Sequence, residues 1–248
     1  ALPVFPETNQ NTVIAYAYLE TDLKFTLPYR QNVKPLVFTN SLGEKTEIMS
    51  FGVLSEDRHV QKKLRAQTRV LFRKRDEDFN FEFAIDLCAD SSPSQVVVAK
   101  IRREPSLAAA LARVEREASA WEDGLRSGSA KTAERLKSIG SNDILLVPDM
   151  YWAIFSHFRE LEGKAINNAE IQNGELTVAQ QDLRFRLSRS GATLKAEARS
   201  RAVERSTTQP FILDGPFLVY LKQRGAKNPY FAMWVDNAEL LQKWIEHK

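Results

Sequence analysis

The apolar positions of this chain repeat at two different periods, and the period changes along its length. Residues 12–25, TVIAYAYLETDLKF, are rich in β-branched and aromatic side chains and predict a strand or a strand pair. The turn signal NSLG at residues 40–43 separates VKPLVFT from EKTEIMSFGVL, which predicts a hairpin. TRVLFRK and FNFEFAIDLC follow, parted by the charged link RDEDF. Within the second, Phe79, Phe81 and Phe83 alternate with Asn80 and Glu82, the signature of a strand with one apolar face.

A helical period then takes over. Pro105 suits a first helical turn, and Leu107, Leu111, Val114, Ala118 and Trp121 recur at helical spacing. GLRSGSAKTAERLKSIGSND concentrates glycine and serine and predicts a loop with a short helix. DILLVPD reads as a strand, and YWAIFSHFRELEG as a helix ended by Gly163. Alternation returns where Leu183, Phe185 and Leu187 interleave with Arg184 and Arg186. Residues 188–210 carry neither an apolar face nor an aromatic side chain. After them, FILDGPFLVYLKQRGAKNPYFAMWVDN places two apolar runs either side of a short basic link. That pattern predicts a hairpin too apolar to face water, with Phe217 and Phe231 buried. AELLQKWIEHK predicts a short final helix with Leu240, Leu241, Trp244 and Ile245 inward. Strands dominate both ends with helices between them, so the expected class is α+β rather than alternating βαβ. One domain over residues 1–248 is expected, with a helical insertion at 104–165.

Composition adds bounds. At 248 residues, 43% hydrophobic and 27% charged, the chain can bury a sizeable core and is not wholly disordered. No apolar run approaches the roughly 20 residues that span a bilayer, so a soluble protein is expected. The opening ALPVFPETNQ lacks the basic-then-apolar layout of a secretory signal, and Ala1 suits a cleaved mature end, so the compartment stays open. Cys88, the single cysteine, excludes an internal disulfide and reads as a buried thiol.

The net charge is only +3, but basic residues cluster at 58–75 and again at 184–205. The first cluster reads as a solvated face; the alternative is a polyanion site using Arg58, Lys62, Lys63, Arg65 and Arg69. Catalysis finds no foothold. SGSAKT at 127–132 lacks the paired glycines of a phosphate loop, and neither GxGxxG nor GxSxG occurs. His59, His157 and His247 are too scattered for a metal site, and His157 has no nucleophile assigned to it as a base. Asp143, Asp149, Glu160 and Glu162 form no readable pair, so neither cofactor nor metal is expected. Tyr151, Trp152, Phe155 and Phe158 read as core.

Read in order, several segments resemble the C-terminal two-thirds of a serpin. VIAYAYLETDLKFTLPY is similar to the strand, charged link and aromatic-proline pair of that family, without its lysine-glycine-x-tryptophan pattern. EIMSFGV and TRVLFRKRDEDFNFEFAIDL stand where the family has its methionine-bearing hairpins, with only Met49 kept from the methionine pair. The most specific match is Phe211, Asp214 and then Pro216, Phe217 and Leu218, with residues 229–235 in the place of the last strand. The resemblance implies large, mostly antiparallel sheets with few helices, without the family's N-terminal helical half. It also makes the apolar hairpin a central, two-sided one.

The family carries an exposed reactive loop just upstream. The resemblance puts its hinge glycine at Gly191 and its scissile bond at Arg205-Ser206, bait for a trypsin-like protease. The hinge departs from the family pattern: Arg189 and Ser190 replace carboxylates, and Leu194 and Lys195 stand where small residues let the loop insert as a strand. The expected function is therefore a non-catalytic, serpin-like protein-interaction or scaffold domain with a protein partner. Serine-protease inhibition and polyanion binding are the alternatives.

Overall fold

The computed structural model describes residues 12–19, 24–54, 58–75, 81–90, 93–165, 175–191 and 210–245. In chain order the strands and helices are β1 (Thr12–Leu19), β2 (Arg30–Gln31), β3 (Leu36–Thr39), β4 (Lys45–Ile48), β5 (Ser50–Val53) and α1 (Arg58–Ala66). Then come β6 (Arg69–Arg75), β7 (Phe81–Asp86), β8 (Ser94–Lys100), α2 (Leu107–Arg126), α3 (Ala130–Lys137) and β9 (Ile144–Pro148). β10 (Met150–His157), β11 (Glu175–Leu187), β12 (Pro210–Ile212), β13 (Phe217–Gln223) and β14 (Phe231–Val235) complete them. They form two compact units: one holds β1, β10 from Tyr151 and β11 as far as Phe185, and the other holds the rest.

The larger unit is built on a five-stranded antiparallel sheet in the order β14-β13-β8-β7-β6. In β8 the run Val96 to Ala99 is buried on both faces. Val97 and Ala99 pack with Leu218 and Tyr220 of β13 against Ala110 and Val114 of α2. On the other face Phe217 meets Phe38 edge-on at 6.4 Å. Such two-sided burial demands an unbroken apolar run, which is why β13 shows no alternation. Here the hairpin expectation splits. Phe217 is fully buried, but β14 lies at the sheet's edge among the described strands, and Phe231 is only half-buried.

α2 starts one residue after Ser106, whose hydroxyl accepts from the Ala109 N–H at 3.1 Å. Its docking is fixed electrostatically as well. Both carboxylate oxygens of buried Glu82 in β7 accept from Arg113 Nη2, at 3.0 and 2.7 Å, and Oε1 also accepts from the Arg102 N–H at 2.7 Å. The loop with a short helix expected after α2 is α3, capped by Ser129.

A second sheet, β12-β9-β5-β2, depends on one close approach. A Cβ on Gly52 of β5 would lie 1.8 Å from the Leu145 carbonyl oxygen of β9, so only glycine fits. The hairpin expected around residues 40–43 is β3–β4, paired from Leu36↔Ile48 to Thr39↔Lys45, and its Gly43 adopts φ 83°.

In the smaller unit the order is β1-β11-β10. β1 and β11 run parallel, in register from Thr12↔Glu175 to Leu19↔Leu183 with one irregularity between Val13 and Ile14. Two sequence expectations are corrected here and at the C-terminus. The segment from Met150 to His157 is a strand, not a helix: Tyr151, Ala153, Phe155 and His157 are exposed while Trp152 is buried, 5.8 Å from the Phe185 ring. Its aromatic and β-branched content favours that extended form. Residues 238–245 form no helix either. Leu241 bridges to Met150 and Lys243 to Ile48, so their backbone groups bond across to neighbouring strands. A segment that short gains little from helical nucleation when such partners are available.

Candidate functional site

At the end of β11 the chain reverses through Ser188, Arg189, Ser190 and Gly191. The Ser188 and Gly191 backbones exchange two hydrogen bonds of 3.0 Å, and the Ser188 hydroxyl donates to the Gly191 carbonyl at 3.1 Å. Gly191 has φ 96°, a left-handed conformation that side chains rarely adopt. It also bridges Lys24 in antiparallel fashion, so Gly191 lies between Lys24 and Ser188. The Phe25 N–H donates to the Ser190 carbonyl at 3.3 Å, and the Tyr29 N–H to the Arg189 carbonyl at 2.7 Å.

Those anchoring residues are themselves fixed. Phe25, Tyr29 and Phe51 form an aromatic cluster, with the Phe25 and Tyr29 rings edge-on at 4.9 Å. The Tyr29 hydroxyl donates to the Leu87 carbonyl at 2.7 Å, and burial raises its pKa well above the ordinary tyrosine value. Gly191 thus closes a turn bonded to Ser188, Phe25 and Tyr29. Arg205 and Ser206 lie outside the described residues, as does everything from 192 to 209. The chain returns at Pro210, which opens β12 parallel to β9.

Sequence reading passed over a carboxylate that belongs to this region. Asp149 is buried between β9 and β10; its Oδ2 accepts from Gln31 Nε2 at 2.6 Å, and its Oδ1 has no hydrogen-bond partner among the described residues. Burial pushes its pKa up to about 6, against the pull of the Gln31 bond and of Arg186 and Arg189. Arg189 belongs to the turn from Ser188 to Gly191 itself. The available signal was the position of Asp149 at the end of the apolar run DILLVPD, where a carboxylate is costly unless it interacts.

The basic cluster is divided by the structure. Lys62 and Lys63 are exposed on α1, whereas Leu64 beside them is fully buried. Arg65 turns towards the protein, its Nη2 donating to the Ser141 carbonyl at 2.7 Å, and burial lowers its pKa. Arg69 lies 3.7 Å from Glu122 of α2, whose carboxyl is held below its usual range chiefly by the Lys137 hydrogen bond. The side chain of Arg58 lies outside those described. Among the other candidates, Cys88 is buried and its thiol pushed up to about 12 by burial, which makes it a poor nucleophile at neutral pH. His157 pairs with Glu162 in the smaller unit, while the side chains of His59 and His247 lie outside those described. Among the described residues no three His, Cys, Asp or Glu side chains group as metal ligands, and no helix is long and apolar enough to cross a membrane.

Predominantly antiparallel sheets and three helices among the described residues define a serpin-like α+β fold. Structural comparison supports that class. Human thyroxine-binding globulin, solved in complex with thyroxine, matches with TM-score 0.52 at 12% identity, over 94% of this chain and 58% of the globulin. A highly specific serpin of the insect Tenebrio molitor matches with TM-score 0.48 at 13% identity, over 91% of this chain and 56% of its own. Native protease nexin-1 with heparin matches with TM-score 0.48 at 12% identity, over 91% and 54%. The chain therefore spans little more than half the length of these serpins. The sequence itself matches no protein-family model and no curated protein.

Proposed function

We propose that this chain is a non-catalytic, serpin-like binding domain that displays residues 192–209 to a protein partner and does not trap proteases. The observation that carries this reading is the parallel pairing of β1 with β11, which runs from Thr12↔Glu175 to Leu19↔Leu183 with one irregularity between Val13 and Ile14. A loop entering the sheet after Gly191 has to break those pairs and replace them. The sequence that would enter offers Leu194, Ala196, Ala198, Ser200 and Ala202 on one face, but Lys195, Glu197, Arg199 and Arg201 on the other. β10 shows that this sheet has an exposed face at Tyr151, Ala153 and Phe155, so insertion requires the small set inward and the charged set outward; the charged set in a covered interior would cost several kcal/mol unless paired.

One observation favours a second reading, serine-protease inhibition at Arg205-Ser206. Gly191 already lies antiparallel to Lys24 and Ser188, the arrangement from which an inserted strand would extend. Mixing the protein with trypsin and running the products under denaturing conditions separates the two. The binding-domain reading predicts only cleavage after Arg199, Arg201 or Arg205. A protease-sized covalent adduct that survives denaturation overturns it in favour of the trap.

A further inference from the structure

One end of the five-stranded sheet holds a cavity that the loop reading leaves unused. Four strand ends converge there: the start of β7 at Phe81, the exit of β8 through Ile101 and Arg102, the approach to β13 through Gly215 and Pro216, and the end of β14 at Trp234. The space measures about 290 Å³, and its walls are mainly apolar. Ile101 is buried, and Phe81, Pro216 and Trp234 are half-buried, so each keeps an apolar surface turned to the opening.

The polar groups stand at the rim and are unequal in charge. Lys100, Arg102 and Arg103 line the cavity against two carboxylates, Glu82 and Asp236. Glu82 is already committed to Arg113 and to the Arg102 N–H. Asp236 accepts from the Ser41 hydroxyl at 2.7 Å, and its approach to Arg103 is a loose 3.6 Å. The Arg103 side chain is 67% exposed, so its guanidinium presents N–H donors at the mouth. Lys100 is held at the inner rim by Asp214 and by the Ile212 carbonyl, and the Asp214 pairing offsets its charge, so Arg103 is the anion-binding group at the mouth.

We infer that this cavity binds a small amphipathic anion, with a flat aromatic body between Trp234 and Phe81 and its carboxylate, sulfonate or phosphate on Arg103. Concave apolar walls with a few polar groups at one side are the usual form of a small-molecule site. A guanidinium matches an oxyanion in shape and bonds it more strongly than it would a neutral acceptor. The proposal is independent of how residues 192–209 behave.

8-Anilinonaphthalene-1-sulfonate, read by its fluorescence, probes the site in the full chain, with N-phenyl-1-naphthylamine as the same ring system without the sulfonate. The sulfonate dye should bind with one-to-one saturation, and the neutral one at least about ten-fold more weakly. Arg103→Ala should weaken the sulfonate dye by about ten-fold. Ser41→Trp, an exposed position that plugs the mouth, should abolish binding, while Lys62→Ser on α1 should change nothing. Circular dichroism and melting temperature verify that each variant is folded. Equal affinity for the two dyes, or sulfonate binding unchanged in either Arg103→Ala or Ser41→Trp, overturns the proposal.

Discussion

Asp149 shows at the scale of one residue how burial sets a pH dependence. Its folded-state pKa is raised from 3.8 to about 6, so the folded protein holds this proton more tightly than the unfolded chain does. The contribution to stability is complete below about pH 4 and is lost as the pH rises through about 6. Two pKa units correspond to about 3 kcal/mol, an upper figure for what the ionised carboxyl costs at neutral pH. Asp149→Asn keeps an oxygen for Gln31 and cannot ionise. It should therefore stabilise the protein by about 1–3 kcal/mol at pH 7.5 and change little at pH 4, measured by urea unfolding at both. A variant equally or less stable at pH 7.5 contradicts the assignment.

The two phenylalanines of the C-terminal hairpin make a second comparison at this scale. Phe217 is fully enclosed between sheet, Phe38 and neighbouring strands, whereas Phe231 is half-buried on an edge strand. Phe217→Ala should cost about 3–5 kcal/mol and Phe231→Ala about 2 kcal/mol less, read from paired denaturation curves. Equal losses would mean that the edge of the sheet is covered.

Among elements, what could be read from sequence was what depends on neighbours in the chain. The β3–β4 hairpin announces itself through NSLG, β7 through alternating phenylalanines, and α2 through apolar residues on one face. β10 did not, because Tyr151, Phe155 and Phe158 also fall at helical spacing, and only the neighbouring strand β11 decides the period. α1 was hidden inside a run read for charge; among its described side chains only Leu64 is enclosed, beside Lys62, Lys63 and Arg65. The Gln31–Asp149 bond joins residues 118 apart and leaves no local trace. The charge cluster yields a prediction of its own. Lys62→Ser and Lys63→Ser should each shift stability by less than about 0.5 kcal/mol. Arg65→Ser, which removes a half-buried stem along with the bond to the Ser141 carbonyl, should cost about 1 kcal/mol by thermal unfolding. Equal effects at all three positions would refute the division of the cluster.

For the whole molecule, a serpin-like fold stands at 12% identity to the globulin, and in this chain it is built with a two-sided apolar strand in β13, a close-packed glycine at Gly52 and a turn at Gly191. None of these decides whether the loop after Gly191 enters the sheet. That choice depends on the free energy of exchanging the β1–β11 pairs for a strand carrying Lys195, Arg199 and Arg201 on one face. The melting temperature before and after a single cut by trypsin in residues 192–209 measures the exchange directly. A displayed, non-inserting loop predicts an unchanged melting temperature; a rise of tens of degrees after the cut would contradict it and establish insertion.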